Sequence, residues 1–137
     1  KELTAPWTLP DAAETACEIL LEIPAQQQTG GLLLQVGNCF ALELTLVSRT
    51  LHAYVKDTGE QTMQDCGTLQ LVPGAPVRLQ VFLDRCSAEI FADGKCLSVN
   101  VFDTAPLRPV SLIPQGGTLP LQLLQVWQLQ HVMEPQT

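Results

Sequence analysis

Basic side chains are scarce in this sequence. Seven Lys and Arg stand against fourteen Asp and Glu in 137 residues, a formal net charge of −7. Such a surface repels a phosphate backbone and an anionic lipid surface alike, so neither nucleic acid nor membrane is an expected partner. Long apolar runs are missing too. Stretches such as Leu32-Leu33-Leu34 fall far short of the roughly 20 residues of a spanning helix. The opening Lys1-Glu2-Leu3-Thr4 lacks the basic start and apolar run of a signal peptide. The chain does not begin with Met, which fits a processed product or a piece of a longer protein. Aromatic residues make up only 5%, so a ring platform for stacking sugars is not evident. Trp127 lies in an apolar stretch and reads as core, whereas Trp7, between Pro6 and Pro10, reads as exposed.

The residue types that carry chemistry are equally thin. The only histidines are His52 and His131, in unrelated places. The five cysteines (Cys17, Cys39, Cys66, Cys86, Cys96) are odd in number and contain no C-x-x-C pair. They read as reduced, mostly buried thiols rather than a metal site or a disulfide framework, which favours a reducing, cytoplasmic setting. No G-x-S-x-G elbow is present, and neither Gly30-Gly31 nor Gly116-Gly117 leads into Lys-Ser or Lys-Thr, so no serine nucleophile or phosphate loop is indicated. Asp84, Glu89 and Asp93 cluster in sequence, and paired carboxylates are what a glycosidase needs. However, Asp84 and Glu89 are five apart, which on one regular strand sends them to opposite faces unless the chain bends at Arg85-Cys86. They are expected to be structural, with Asp93 a turn former. No catalytic set, cofactor site or metal site is read in the chain.

What is present is strand pattern. Hydrophobic residues reach 46%, enough for one folded domain over 1–137 with its core at about 16–130. Phe40, Leu42, Leu44 and Leu46 alternate with Ala41, Glu43, Thr45 and Val47; Val77, Leu79, Val81 and Leu83 alternate with Arg78, Gln80, Phe82 and Asp84. Period two marks half-buried strands. Further strands are expected at Leu32–Val36, Leu51–Lys56, Gly67–Val72, Pro109–Ile113 and Leu121–Gln130, separated by Gly, Pro, Asn and Asp. Residues 11–21 have a possible helix cap in Asp11 with Glu14 three on, but Cys17–Ile23, stopped by Pro24, reads better as a strand.

Asp93-Gly94 between Ser87–Ala92 and Lys95–Val101 predicts a two-residue hairpin, because a type I′ turn needs positive φ at both positions. That register sets Ala92 opposite Lys95, Phe91 opposite Cys96 and Cys86 opposite Val101, so no Cys86–Cys96 bridge is expected. Nine or ten short strands at regular spacing predict an all-β, antiparallel sandwich or barrel.

The run from Val77 to Gly94, with its core Leu83-Asp84-Arg85-Cys86-Ser87-Ala88-Glu89-Ile90-Phe91-Ala92-Asp93-Gly94, resembles the signature of the C-terminal β-sandwich domain of glycoside hydrolase family 32. These are the invertases, sucrose-6-phosphate hydrolases, levanases and inulinases. Asp84, Ser87, Glu89, Phe91 and Gly94 match the pattern; Cys86 stands where Ser is usual. Val99-Asn100-Val101-Phe102 is similar to the strand that follows, and Val126-Trp127-Gln128-Leu129 to the closing strand, where Trp is common. The resemblance covers about Ala16 to Gln130, with the specific motif confined to Val77–Phe102. It implies a two-sheet sandwich of the concanavalin or jelly-roll kind. It also implies that the chemistry sits in a five-bladed β-propeller preceding the sandwich. The propeller's W-x-N-D-P-N-G, Arg-Asp-Pro and Glu-Cys motifs are absent from this sequence. The expectation is therefore a non-catalytic C-terminal accessory domain of a β-fructofuranosidase that acts on sucrose or fructans with retention. The propeller is its partner, and Asp84, Ser87, Glu89, Phe91, Gly94 and Trp127 are structural or domain-interface residues. The alternative is an independent lectin-like module that binds fructose-containing oligosaccharide; a third reading is an interaction domain with no sugar role.

Overall fold

A computed structural model of the chain describes residues 2–8, 16–37, 39–56, 64–84, 87–100 and 109–129. Two antiparallel sheets face each other across one apolar core. The first has five strands, β3 (Ala16–Ile23), β8 (Val77–Leu83), β9 (Ser87–Ala92), β10 (Lys95–Asn100) and β13 (Leu123–Leu129), in the order β10-β9-β8-β3-β13. The second has six, β2 (Trp7–Thr8), β4 (Gly31–Val36), β5 (Phe40–Thr45), β6 (Thr50–Val55), β7 (Gln64–Gln70) and β11 (Val110–Gln115), in the order β2-β11-β4-β5-β6-β7. A short ribbon of β1 (Glu2–Leu3) and β12 (Leu119–Pro120) completes the described strands. The expected sandwich is therefore the fold, and neither sheet closes on itself.

Period two decides which residues meet. Ile19, Leu21 and Ile23 of β3 and Val77, Leu79 and Val81 of β8 point inward from one sheet; Leu32 and Leu34, Leu42 and Leu44, and Leu51 point inward from the other, all essentially without solvent contact. Full burial of each such side chain is worth about 1.5–3 kcal/mol, which is why the register is fixed: a one-residue slip would turn every one of them outward. The same argument settles residues 16–23 as strand. β3 is the second-last strand of its sheet, laddered to β8 on one side and β13 on the other, so its apolar alternation buries against the core. Asp11 and Glu14 lie outside the described residues.

The two sheets are joined at their edges. β7 and β10 approach so closely that a Cβ on Gly67 would lie 2.6 Å from Cδ1 of Leu97. The hairpin tip adds a latch: the Asp93 carboxylate accepts from the backbone N–H of Val72 at 2.6 Å, and Lys95 Nζ donates to the carbonyl of Gln70 at 2.7 Å. One buried cation was not foreseen. Arg49, only 4% exposed, sits in the β5–β6 turn at φ 53° and donates through Nη2 to the carbonyl of Ala25 at 2.9 Å, while its Nη1 has no protein partner among the described residues.

Candidate functional site

The signature hairpin folds with the anticipated register: Ala92 opposes Lys95 and Phe91 opposes Cys96, with Asp93 at φ 53° and Gly94 at φ 71°. Both central residues are left-handed, the geometry of a type I′ turn. Cys86, and with it the expected Cys86–Val101 pairing, lies outside the described residues. Cys17 and Cys39 are buried, but Cys66 and Cys96 are exposed. The thiols are thus less uniformly buried than the sequence suggested, because Cys96 falls on an outward position of β10.

Ser87, Glu89 and Phe91 are alternate residues of β9 and share the outer face of the five-stranded sheet. The ladders continue that face across all five strands. Ser98, Glu89, Phe82, Glu18 and Trp127 form one cross-strand row; Cys96, Phe91, Gln80, Leu20 and Gln125 form the next. The Phe91 ring meets Phe82 edge to face, centroids 5.8 Å apart. Gln80 Nε2 donates to Glu18 at 2.6 Å, and Arg78 pairs with Glu22 at 3.1 Å. Trp127 corrects a sequence expectation. It is 42% exposed, not core, because Leu124 and Val126 are the β13 residues that pack inward and Trp127 has the opposite parity. Trp7, at 36%, is exposed as expected, and it lines a cavity of about 290 Å³ with Glu2, Leu3, Leu121 and Leu124, away from the signature hairpin.

The parity argument that separated Asp84 from Glu89 does not apply. The chain reverses between them: Leu83 opposes Ala88 and Phe82 opposes Glu89, and the Asp84 N–H donates to the Ser87 carbonyl at 2.9 Å. Both carboxylates are exposed, whereas a glycosidase acid works from a dry, enclosed pocket.

A second group, which sequence reasoning missed, lies on the outer face of the six-stranded sheet. Glu43, His52 and Thr68 oppose one another on β5, β6 and β7, and Tyr54 opposes Asp65. Thr68 Oγ1 and His52 Nδ1 are 3.0 Å apart, Asp65 Oδ2 lies 3.8 Å from the same nitrogen, and the Tyr54 hydroxyl donates to Glu43 over a long 3.4 Å. The His52 and Tyr54 rings are near-parallel with centroids 6.1 Å apart. Desolvation, then the Glu43 and Asp65 charges, raise the Tyr54 phenol above its ordinary value, so it remains a hydrogen-bond donor at neutral pH. Among the described residues no group of three or more His, Cys, Asp and Glu is placed to hold a metal ion.

Residues 12–128 match the family described as Glycosyl hydrolases family 32 C terminal. The chain belongs to that family. No curated protein sequence matches it. Among solved structures, exo-inulinase from Aspergillus awamori aligns with a TM-score of 0.70 at 15% identity over 93% of this chain and 28% of the inulinase. The family 32 domain thus spans well under a third of that enzyme's length. The fold is shared more widely: a toad ovary galectin in complex with thio-digalactose aligns with a TM-score of 0.59 at 14% identity, over 91% of this chain and 100% of the galectin. The alginate lyase A1-II′ of polysaccharide lyase family 7 aligns with a TM-score of 0.59 at 12% identity, over 92% of this chain and 65% of the lyase.

Proposed function

We propose that this family 32 domain is the non-catalytic C-terminal accessory part of a β-fructofuranosidase-type glycoside hydrolase acting on sucrose or fructans, and that it docks on and stabilises the catalytic propeller. The observation that carries this reading is the family match over 12–128, in a domain whose signature carboxylates Asp84 and Glu89 are exposed. The docking face is the outer face of the five-stranded sheet. Three of the signature residues, Ser87, Glu89 and Phe91, project from it although the sandwich core makes no use of them, and Trp127 lies in the same row as Glu89. Half-exposed aromatic rings are among the residues enriched on surfaces that are covered in an assembled protein. Gly94 holds the hairpin turn and Asp84 the β8–β9 reversal, both in structural roles.

The test is the intact mass of the native protein, detected with an antibody against this chain. A mass several times that of the chain, with sucrose cleavage in the upstream part, is the expected result; a native protein of this mass alone, with no larger partner co-purifying, would sink the reading. A second reading, a lectin-like carbohydrate-binding module, draws support from the sandwich shared with a galectin whose structure holds thio-digalactose and from the polar face of β5–β7.

A further inference from the structure

We propose that the outer face of the six-stranded sheet is a binding site for a neutral oligosaccharide, laid across strands β11, β4, β5, β6 and β7. The inference rests on the carbohydrate-binding reading and adds to it a surface and a ligand chemistry. The ladders place Ile113, Leu33, Glu43, His52 and Thr68 in one straight row. At the spacing of paired strands this row is roughly 19 Å long, room for several sugar rings in extended form. One end is apolar and half-buried; the other is polar. A pyranose or furanose has the same division, a C–H face that prefers apolar contact and a hydroxyl edge that needs partners.

The polar end has capacity to spare. His52 uses Nδ1 toward Thr68 and Asp65, and its Nε2 has no partner among the described residues. Among the described residues, Glu43 receives only the long Tyr54 contact, which leaves carboxylate lone pairs open to ligand hydroxyls. The neighbouring row supplies Gln35, Tyr54 and Asp65. Tyr54 is held by Glu43 and Asp65 by His52 and the Gly67 N–H, so these two lose little side-chain freedom on binding. Among the described residues, no strand position on this face carries Lys or Arg; Lys56 lies beyond the end of β6. A face with two carboxylates and no cation in its strands rejects phosphorylated and anionic ligands and suits an uncharged polyol.

The test titrates the chain with inulin-type and levan-type fructo-oligosaccharides and with a neutral galactoside, by calorimetry and by amide NMR. Expected are dissociation constants on the order of millimolar, amide shifts confined to β4–β7 and β11, and binding weakened about tenfold by Glu43→Gln and by His52→Ala in variants whose melting curves match the parent. Saturable binding whose shifts fall on the five-stranded sheet would overturn this site while keeping the carbohydrate-binding reading. No binding by any of the three sugars would overturn both. Unchanged affinity in folded Glu43→Gln would overturn the role of the row. None of these outcomes bears on the accessory-domain reading, which the native mass decides.

Discussion

The outer face of the five-stranded sheet offers exposed rings and an Arg78–Glu22 ion pair, while that of the six-stranded sheet runs from an apolar end at Leu33 and Ile113 to hydroxyls, carboxylates and the His52 and Tyr54 rings. On the first, Phe82, Phe91 and Trp127 stand among Glu18, Glu22, Arg78 and Glu89. On the second, Thr45, Thr50, Tyr54 and Thr68 surround Glu43, His52 and Asp65. The inner faces, by contrast, are both built almost wholly of apolar side chains, Leu, Ile, Val and Ala with Phe40 on the six-stranded sheet. Core physics fixes the inner faces and leaves the outer ones free, so a consistent chemical difference between the two outer faces points to what each one meets. A ring 42% exposed keeps apolar area in water, a cost that covering would remove; a mesh of carboxylates and hydroxyls has no such need.

The sheets also differ in how tightly their backbones approach. No strand of the five-stranded sheet contains Gly, whereas a Cβ on Gly31 of β4 would sit 2.1 Å from the carbonyl oxygen of Leu44. That contact is with backbone and has nowhere to move, so Gly31→Ala should cost about 3 kcal/mol or more and disturb β4–β5 first. Urea unfolding would measure it. A loss well below 1 kcal/mol would show that the six-stranded sheet is as forgiving as its partner. Next in size is Asp93→Ala. It forces Ala into a left-handed backbone, about 1–2 kcal/mol by itself, and removes the acceptor for the Val72 N–H. Asp93→Asn, which tolerates that conformation, should recover most of the lost melting temperature.

Asp93 also shows how far the sequence was legible. The Asp-Gly pair announced its turn, because left-handed φ at two adjacent residues has few sequence solutions. Its second task, clamping the β7–β8 connection, depends on how the sheets stack, and no local pattern encodes that. The signature residues were found by their order along β9, and their common face followed from period two. Trp127 was misread because it lies amid apolar neighbours, and only the inward packing of Leu124 and Val126 fixes its parity. The polar cluster was hidden by a bulge. The register shifts between Ala53 and Tyr54, so that Gly67 opposes the first and Asp65 the second. Cys66 becomes the extra residue, and Asp65 joins Thr68 on one face although they are three apart.

Smaller effects separate the faces by function. Trp127→Ala should change the stability of the isolated chain by less than about 1 kcal/mol, and Glu89→Ala should leave its melting curve in place, since Glu89 lies exposed between Phe82 and Ser98. If the accessory-domain proposal is right, both should weaken association with the catalytic part, measured as co-purification of separately expressed halves or as the thermal stability of the whole enzyme. Catalytic turnover in the docked enzyme should persist. If the folded, docked Glu89→Ala enzyme lost activity outright, its structural role would be wrong.

The smallest effect reads the electrostatics of the polar face through the bulge. Cys66 donates its thiol to the Ala53 carbonyl at 3.2 Å, and although the residue is exposed overall, its pKa is raised, first by partial desolvation of the thiol and then by the Asp65 carboxylate. The thiolate is the reactive form, so a raised pKa means less of it at any given pH. Alkylation of Cys66, followed site by site by mass spectrometry, should therefore be slow near neutral pH and climb only above the ordinary thiol range. Asp65→Asn keeps an oxygen for the Gly67 N–H but removes the charge. It should shift the alkylation profile to lower pH by only part of the total, because burial, the larger cause, remains. An unmoved profile would mean that the Asp65 charge does not reach the bulge. The electrostatic contrast between the two faces would then rest on Glu43 alone.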